Sequence, residues 1–328
     1  MDPKADAKED PKVDPKVDPK VDPEERPKER PKERPKERPK PTEQDPVGGG
    51  EPKDNGGGGA FDSADSSDAA VWGSWELPEG ERHKTTIGPL TLWLERRAQE
   101  VHVAYEVEAD ATLTAMAPLA PTQEEAPEGA KKLRFASQHL GAGVVLEPAL
   151  ADRNMVVRPD TPFTLLPGGD LEVFLTTPLW VRLKTPEPSR ELLDIPSFRP
   201  SDTWFGPSTV EGELCYSSRT HARLAMENVE LHPGRALTML RLQNDTEEPM
   251  EMEKINIPVP HLALYRAEGG LFWSQGVSAR WTKEEDRAKI TLDKGAPKEA
   301  KGAELLAPPR NAGGPNIMMR AVWKLLMR

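Results

Sequence analysis

The chain has 328 residues, 35 of them Pro and 25 Gly, with a formal net charge of −11 and a single cysteine. One Cys excludes a disulfide framework and a cysteine-rich metal site, and no apolar run approaches the ~18 residues that a membrane-spanning helix needs. Acids and bases nearly cancel over residues 1–46 (14 against 13) and 47–70 add 5 acids and 1 base, so the remaining body is mildly acidic, which argues against sequence-independent nucleic-acid binding.

From Pro11 to Pro39 a proline falls on every fourth residue, first within Val-Asp-Pro-Lys and then within Glu-Arg-Pro-Lys. Each proline removes a helical donor and clashes with the preceding turn. The stretch also has too little apolar surface to offset the entropy of ordering. Residues 1–70 are therefore expected to be a disordered, proline-rich tail, partly polyproline II, that ends in flexible glycine runs at 48–50 and 56–59. Residues 26–41 hold eight bases and three acids, which reads as a solvated spacer or as a basic docking arm for an acidic surface or lipid. Met1-Asp2-Pro3-Lys4 lacks the apolar stretch of a secretory signal, so the cytoplasm is the expected compartment.

Beyond Val71 the dominant period is two. Leu90, Leu92 and Leu94 alternate with Thr91, Trp93 and Glu95, and Val101, Val103, Tyr105 and Val107 alternate with polar residues. Leu171, Val173 and Leu175 repeat the pattern, as do Leu179, Val181 and Leu183. Alternation of this kind predicts half-buried antiparallel strands. Punctuation by Gly, Pro and Asp clusters, such as Pro167-Gly168-Gly169-Asp170, predicts an all-β sandwich or barrel. Pro186-Glu187-Pro188 and the proline-rich loop 195–207 suggest two antiparallel β-units, 71–185 and 186–312, although one large sandwich fits the same pattern.

The segment 195–216 is the most specific stretch. Arg199 and Asp202 flank Trp204-Phe205, and either tie the loop through side-chain to backbone bonds or grip a ligand. Next, Glu211, Glu213, Cys215, Ser217, Arg219, His221 and Arg223 share one parity, while Gly212, Leu214, Tyr216, Ala222 and Leu224 share the other. If 211–224 is one strand, the polar set is a solvated face or the wall of a cleft. The candidate binding residues are accordingly Arg199, Asp202, Trp204, Glu211, Glu213, Arg219 and His221. Cys215 and His221 resemble a nucleophile–base pair, but six strand residues separate them by roughly 20 Å, far beyond hydrogen-bond reach. Ser208 lacks the second glycine of a nucleophile elbow. The six histidines show no metal-ligand spacing, and no cofactor motif occurs. No catalytic residue, metal or cofactor is expected.

The last residues change character. Asn316, Arg320, Lys324 and Arg328 recur every four, and nine of the twelve residues 317–328 are apolar. The spacing predicts a short amphipathic helix over 313–328. Its face Ile317, Met318, Val322, Trp323 and Leu326 is expected to dock on the body, on a protein partner, or on an anionic membrane surface.

Ser201-Asp202-Thr203-Trp204-Phe205-Gly206, Gly212-Glu213-Leu214-Cys215-Tyr216, Thr177-Pro178-Leu179-Trp180-Val181 and 303–310, Ala-Glu-Leu-Leu-Ala-Pro-Pro-Arg, together resemble the prokaryotic domain-of-unknown-function family 432. The likeness covers about 88–328 and leaves out the tail. It implies no activity, cofactor or catalytic residue. The reading is a cytoplasmic all-β binding or scaffold protein with a protein partner. The alternatives are an enzyme or small-ligand binder with a cleft at 199–205 and the Glu213 strand face, and a membrane-peripheral protein held by its C-terminal helix.

Overall fold

A computed structural model describes residues 71–319, except 111, 138–140, 207, 209, 221, 222, 231, 233, 284–287 and 313–315. The tail 1–70 and residues 320–328 lie outside the described residues, so the expected disorder and most of the expected helix do too. The described residues all belong to one compact unit. They form strands, with two short 3-10 turns at Met226–Asn228 and Val259–His261, as the period-two alternation requires.

Two β-sandwiches carry the fold. In the first, a five-stranded antiparallel sheet runs Met116–Pro121, Arg82–Ile87, Leu90–Arg97, Glu100–Val107, Lys131–Ala136. It faces a four-stranded sheet of Gly73–Glu76, Gly143–Ala149, Trp180–Thr185 and Arg190–Pro196. Leu90, Leu92, Leu94, Val101 and Val103 meet Val144, Leu146, Val181 and Leu183 in its core. Fully burying such side chains stabilises by about 1.5–3 kcal/mol each, before chain entropy is counted.

The second sandwich is built on Arg235–Asp245, the longest strand at 11 residues. One edge pairs antiparallel with Asp170–Pro178 over nine residues. The other edge pairs in parallel with Phe272–Ser274 and then Val277–Thr282. The opposing sheet orders Ser201–Phe205, Glu213–Thr220, Met155–Pro159 and Ile255–Ile257. Val173, Leu175, Leu240 and Leu242 pack there with Met155, Val157, Ile255 and Ile257. The outward side of the large sheet is apolar as well: Phe174, Leu237, Met239 and Trp273 cluster, with Met226 and Val229 packed over them.

Pro186-Glu187-Pro188 forms the turn of a hairpin, since Trp180–Thr185 pairs with Arg190–Pro196. Thr185 Oγ1 donates to the Pro188 carbonyl and accepts from the Arg190 amide (3.0 Å). The strand leading into this turn serves both cores. Leu179 and Trp180 lie in the second, while Val181 and Leu183 lie in the first.

The C-terminal expectation needs correction. Asn316–Met319, which include Ile317 and Met318 of the expected docking face, form a strand and not a helix. They pair antiparallel with Ala288–Leu292, Ile290 opposite Ile317. A sheet edge offers a row of unpaired backbone groups. A short apolar run satisfies them more readily than it nucleates a helix in water. Val322, Trp323 and Leu326 lie outside the described residues.

Candidate functional site

The hairpin Ser201–Phe205 and Glu213–Thr220 aligns Asp202 with Tyr216, Thr203 with Cys215 and Trp204 with Leu214. Directly opposed residues share a face, so this ribbon has two distinct sides. On one, Cys215 is fully buried with Phe205 and Val156. Burial, with the Glu213 carboxylate nearby, pushes its thiol up to about 12.

The other side carries Asp202, Trp204, Leu214 and Tyr216. Tyr216 stands at its centre. Its hydroxyl donates to Asp152 Oδ1 (2.9 Å), its ring lies 5.3 Å from that of Trp180, and the Arg153 guanidinium sits 5.3 Å over it. Burial first, and then the Asp152 carboxylate, push the phenol up to about 12, so Tyr216 is a neutral donor near pH 7. Asp202 accepts from two cations, Arg153 Nη1 (3.3 Å) and Arg199 Nη2 (3.1 Å).

These groups form one wall of a cavity of about 500 Å³. The first sandwich supplies the other, through Tyr105, Val107, Lys131, Asp194 and Ile195. Lys131 extends its ammonium to 5.5 Å from the Tyr105 ring centre. Among the described residues it has no acidic partner. Asp194 is neutralised by Arg310, whose Nη2 donates to it at 2.9 Å and whose Nε donates to the Leu150 carbonyl at 2.6 Å. Three aromatic faces and three cations, Lys131, Arg153 and Arg199, thus converge from two sandwiches. The described lining contains no Ser, Thr, Cys or His.

Of the residues singled out in the sequence, Arg199 lines this cavity and Asp202 braces its cations. Side-chain to backbone ties were expected of this pair; the bonds Asp202 makes here are side chain to side chain, with Arg199 and Arg153. Trp204 is displaced toward the hairpin tip and is 48% exposed. Its Nε1 donates to the Ser208 carbonyl (2.7 Å). Glu213 lies on the opposite side of its strand from Tyr216 and does not line the cavity. Its Oε1 accepts from Asn154 and Asn256 (2.9 and 2.8 Å). Glu211 is exposed in the turn, its amide donating to Ser208 Oγ (3.0 Å). Arg219 falls in the strand opposite Arg158, and His221 lies outside the described residues.

Tyr105, Lys131, Arg153, Trp180 and Tyr216 are not among the binding residues expected from the sequence. A contact between two sandwiches leaves no local spacing to find. The one available signal was Tyr216 itself, an aromatic with a polar tip at the end of the specific segment 195–216.

Among the described residues no helix is long and apolar enough to cross a membrane. No group of three or more His, Cys, Asp or Glu converges there as a metal site. The family described as "Protein of unknown function (DUF432)" matches residues 71–328. No curated protein and no solved structure matches the chain. The match covers well over half of the sequence, and the chain belongs to that family.

Proposed function

We propose that this member of the DUF432 family is a binding protein whose ligand enters the cavity between its two sandwiches. The carrying observation is the convergence of Tyr105, Trp180 and Tyr216 with Lys131, Arg153 and Arg199 around about 500 Å³. A pocket of this size suits a small molecule. Aromatic faces favour a flat group, and cations that exceed the acids left unpaired favour a negative one. The ligand class is therefore a small anion bearing a planar ring. Binding without bond-making accords with a described lining whose hydroxyls are the phenols of Tyr105 and Tyr216, the latter engaged by Asp152. A cytoplasmic setting and a protein partner go with this reading. Both are expected from composition.

An anionic aromatic dye, 8-anilinonaphthalene-1-sulfonate, tests it on the full chain. The expected result is saturable binding to one site, weakened about tenfold or more by Lys131→Glu and by Tyr105→Ala, and unchanged by Trp204→Ala. Binding that survives the first two changes but falls with the third would assign the dye to the hairpin tip and defeat the proposal.

A further inference from the structure

A second cationic site lies on the far side of the large sheet, away from the cavity. Along Asp170–Pro178, the outward residues Glu172, Phe174, Thr176 and Pro178 stand opposite Arg241, Met239, Leu237 and Arg235. The two arginines of that row are treated very differently. Arg241 has two acids: Nε donates to Glu172 (2.9 Å) and Nη1 to Asp293 (3.1 Å). Arg235 has none among the described residues. It turns back along the strand, Nε donating to Thr176 Oγ1 (3.1 Å) and Nη2 to the Thr176 carbonyl (3.0 Å). Nη1 is left over. Burial, with no charged neighbour to offset it, pulls its pKa down to about 10.

A second arginine without an acidic partner among the described residues stands across the same strand. Arg223 forms an antiparallel bridge to Phe174 from the strand's other edge, its carbonyl accepting the Phe174 amide (2.8 Å). Bridged residues share a face, so Arg223 lies on the same outward side. Phe174 and Thr176 are about 7 Å apart along a strand, within reach of both side chains. Arg223 Nε is buried with no partner, and no acid pairs with it among the described residues. Met226 and Val229, just beyond it, pack on the Phe174–Leu237 cluster, so apolar side chains flank this row. A partly buried charge without a partner is destabilising, and two of one sign compound the effect.

We infer that Arg223, Arg235 and Thr176 form a binding site for a phosphate group, free or esterified. Two uncompensated guanidiniums call for about two negative charges, which phosphate carries near neutral pH. They approach from opposite edges of one strand, and a tetrahedral phosphate has oxygens to offer to both sides where a flat carboxylate has only one edge. Thr176 Oγ1 accepts from Arg235 and keeps its own O–H to donate. All three residues are half-buried, so an ion reaches them from solvent. This site does not depend on the cavity reading.

The test is a titration of the full chain with inorganic phosphate and, separately, glycerol 2-phosphate, at constant ionic strength set by chloride. Melting temperature and equilibrium dialysis are both read. Saturable one-site binding that raises the melting temperature is expected for at least one of the two, and the tighter identifies the source. Arg235→Gln and Arg223→Gln should each weaken it about tenfold or more, as loss of a charge-assisted bond does. Without phosphate, Arg235→Gln should melt no lower than the wild type, because it removes an uncompensated charge. If that variant does not fold, Arg235→Lys keeps the charge, loses the fork and should show the same weakening. Lys131→Glu should leave phosphate binding unchanged. No saturable binding of either probe, or binding that the arginine variants leave intact, overturns the inference.

Discussion

Cys215 is inert for two separable reasons. It lies fully buried between Phe205 and Val156, and its thiol is held near 12. The thiolate is the reactive form, so native protein at pH 8 should not react with a thiol reagent, whereas denaturant should release one equivalent. Rapid labelling of the native chain would contradict the burial. The sign of the pH effect follows from the same shift. The folded state holds this proton more tightly than the unfolded chain, with its ordinary value near 9. The contribution is therefore complete below pH 9 and is lost as pH rises toward 12. Tyr216 adds the same sign between about 10 and 12. Cys215→Ala should flatten the alkaline fall in melting temperature between pH 9 and 11. Parity grouped Cys215 with polar residues, but Phe205 and Val156 cover that side, and both are distant in the chain or lie across a turn. Trp204 is the converse. A specific tryptophan suggests a core, yet it is half exposed. Trp204→Ala should cost about 1–2 kcal/mol by denaturant unfolding, not the 3–5 of a buried indole.

The hairpin that joins Ser201–Phe205 to Glu213–Thr220 depends on Gly212. A Cβ there would lie 2.6 Å from Trp204 Nε1 and 2.7 Å from the Phe205 carbonyl. Backbone cannot yield as a side chain can, so Gly212→Ala should destabilise by about 1–3 kcal/mol, more than Trp204→Ala despite the smaller change. A Gly212→Ala variant as stable as wild type would mean the turn is loose. Strands were legible wherever one face is wet. Leu90, Leu92 and Leu94 went to the core as alternation required. The strand Asp170–Pro178 was legible only in part. Val173 and Leu175 face one core, but Phe174 is buried on the other side under Met226 and Val229, a cover that period two does not reveal. The end of the chain misled for a related reason. Ile-Met-Met suits a helix face and a strand equally, and the open edge at Ala288–Leu292 decided for a strand over Asn316–Met319.

At the scale of the molecule, Arg310 is the longest-range tie to the cavity. It follows the last strand before the C-terminal segment, yet grips Asp194 and the Leu150 carbonyl. Its side chain and that of Asp194 are only 14% and 18% exposed. Arg310→Ala strands a carboxylate at the cavity wall and should cost about 3 kcal/mol, with dye binding lost in parallel. Preserved stability would show that Asp194 finds another cation, Arg182 being the nearest at 3.5 Å. The strand Trp180–Thr185 has a wider consequence. Because Trp180 faces one interior and Val181 the next, a single strand ties the two sandwiches together. Calorimetry of the body should give one endotherm, with calorimetric and van't Hoff enthalpies equal. A protease nick in the hairpin turn near Glu187 should leave two pieces that stay together until both melt.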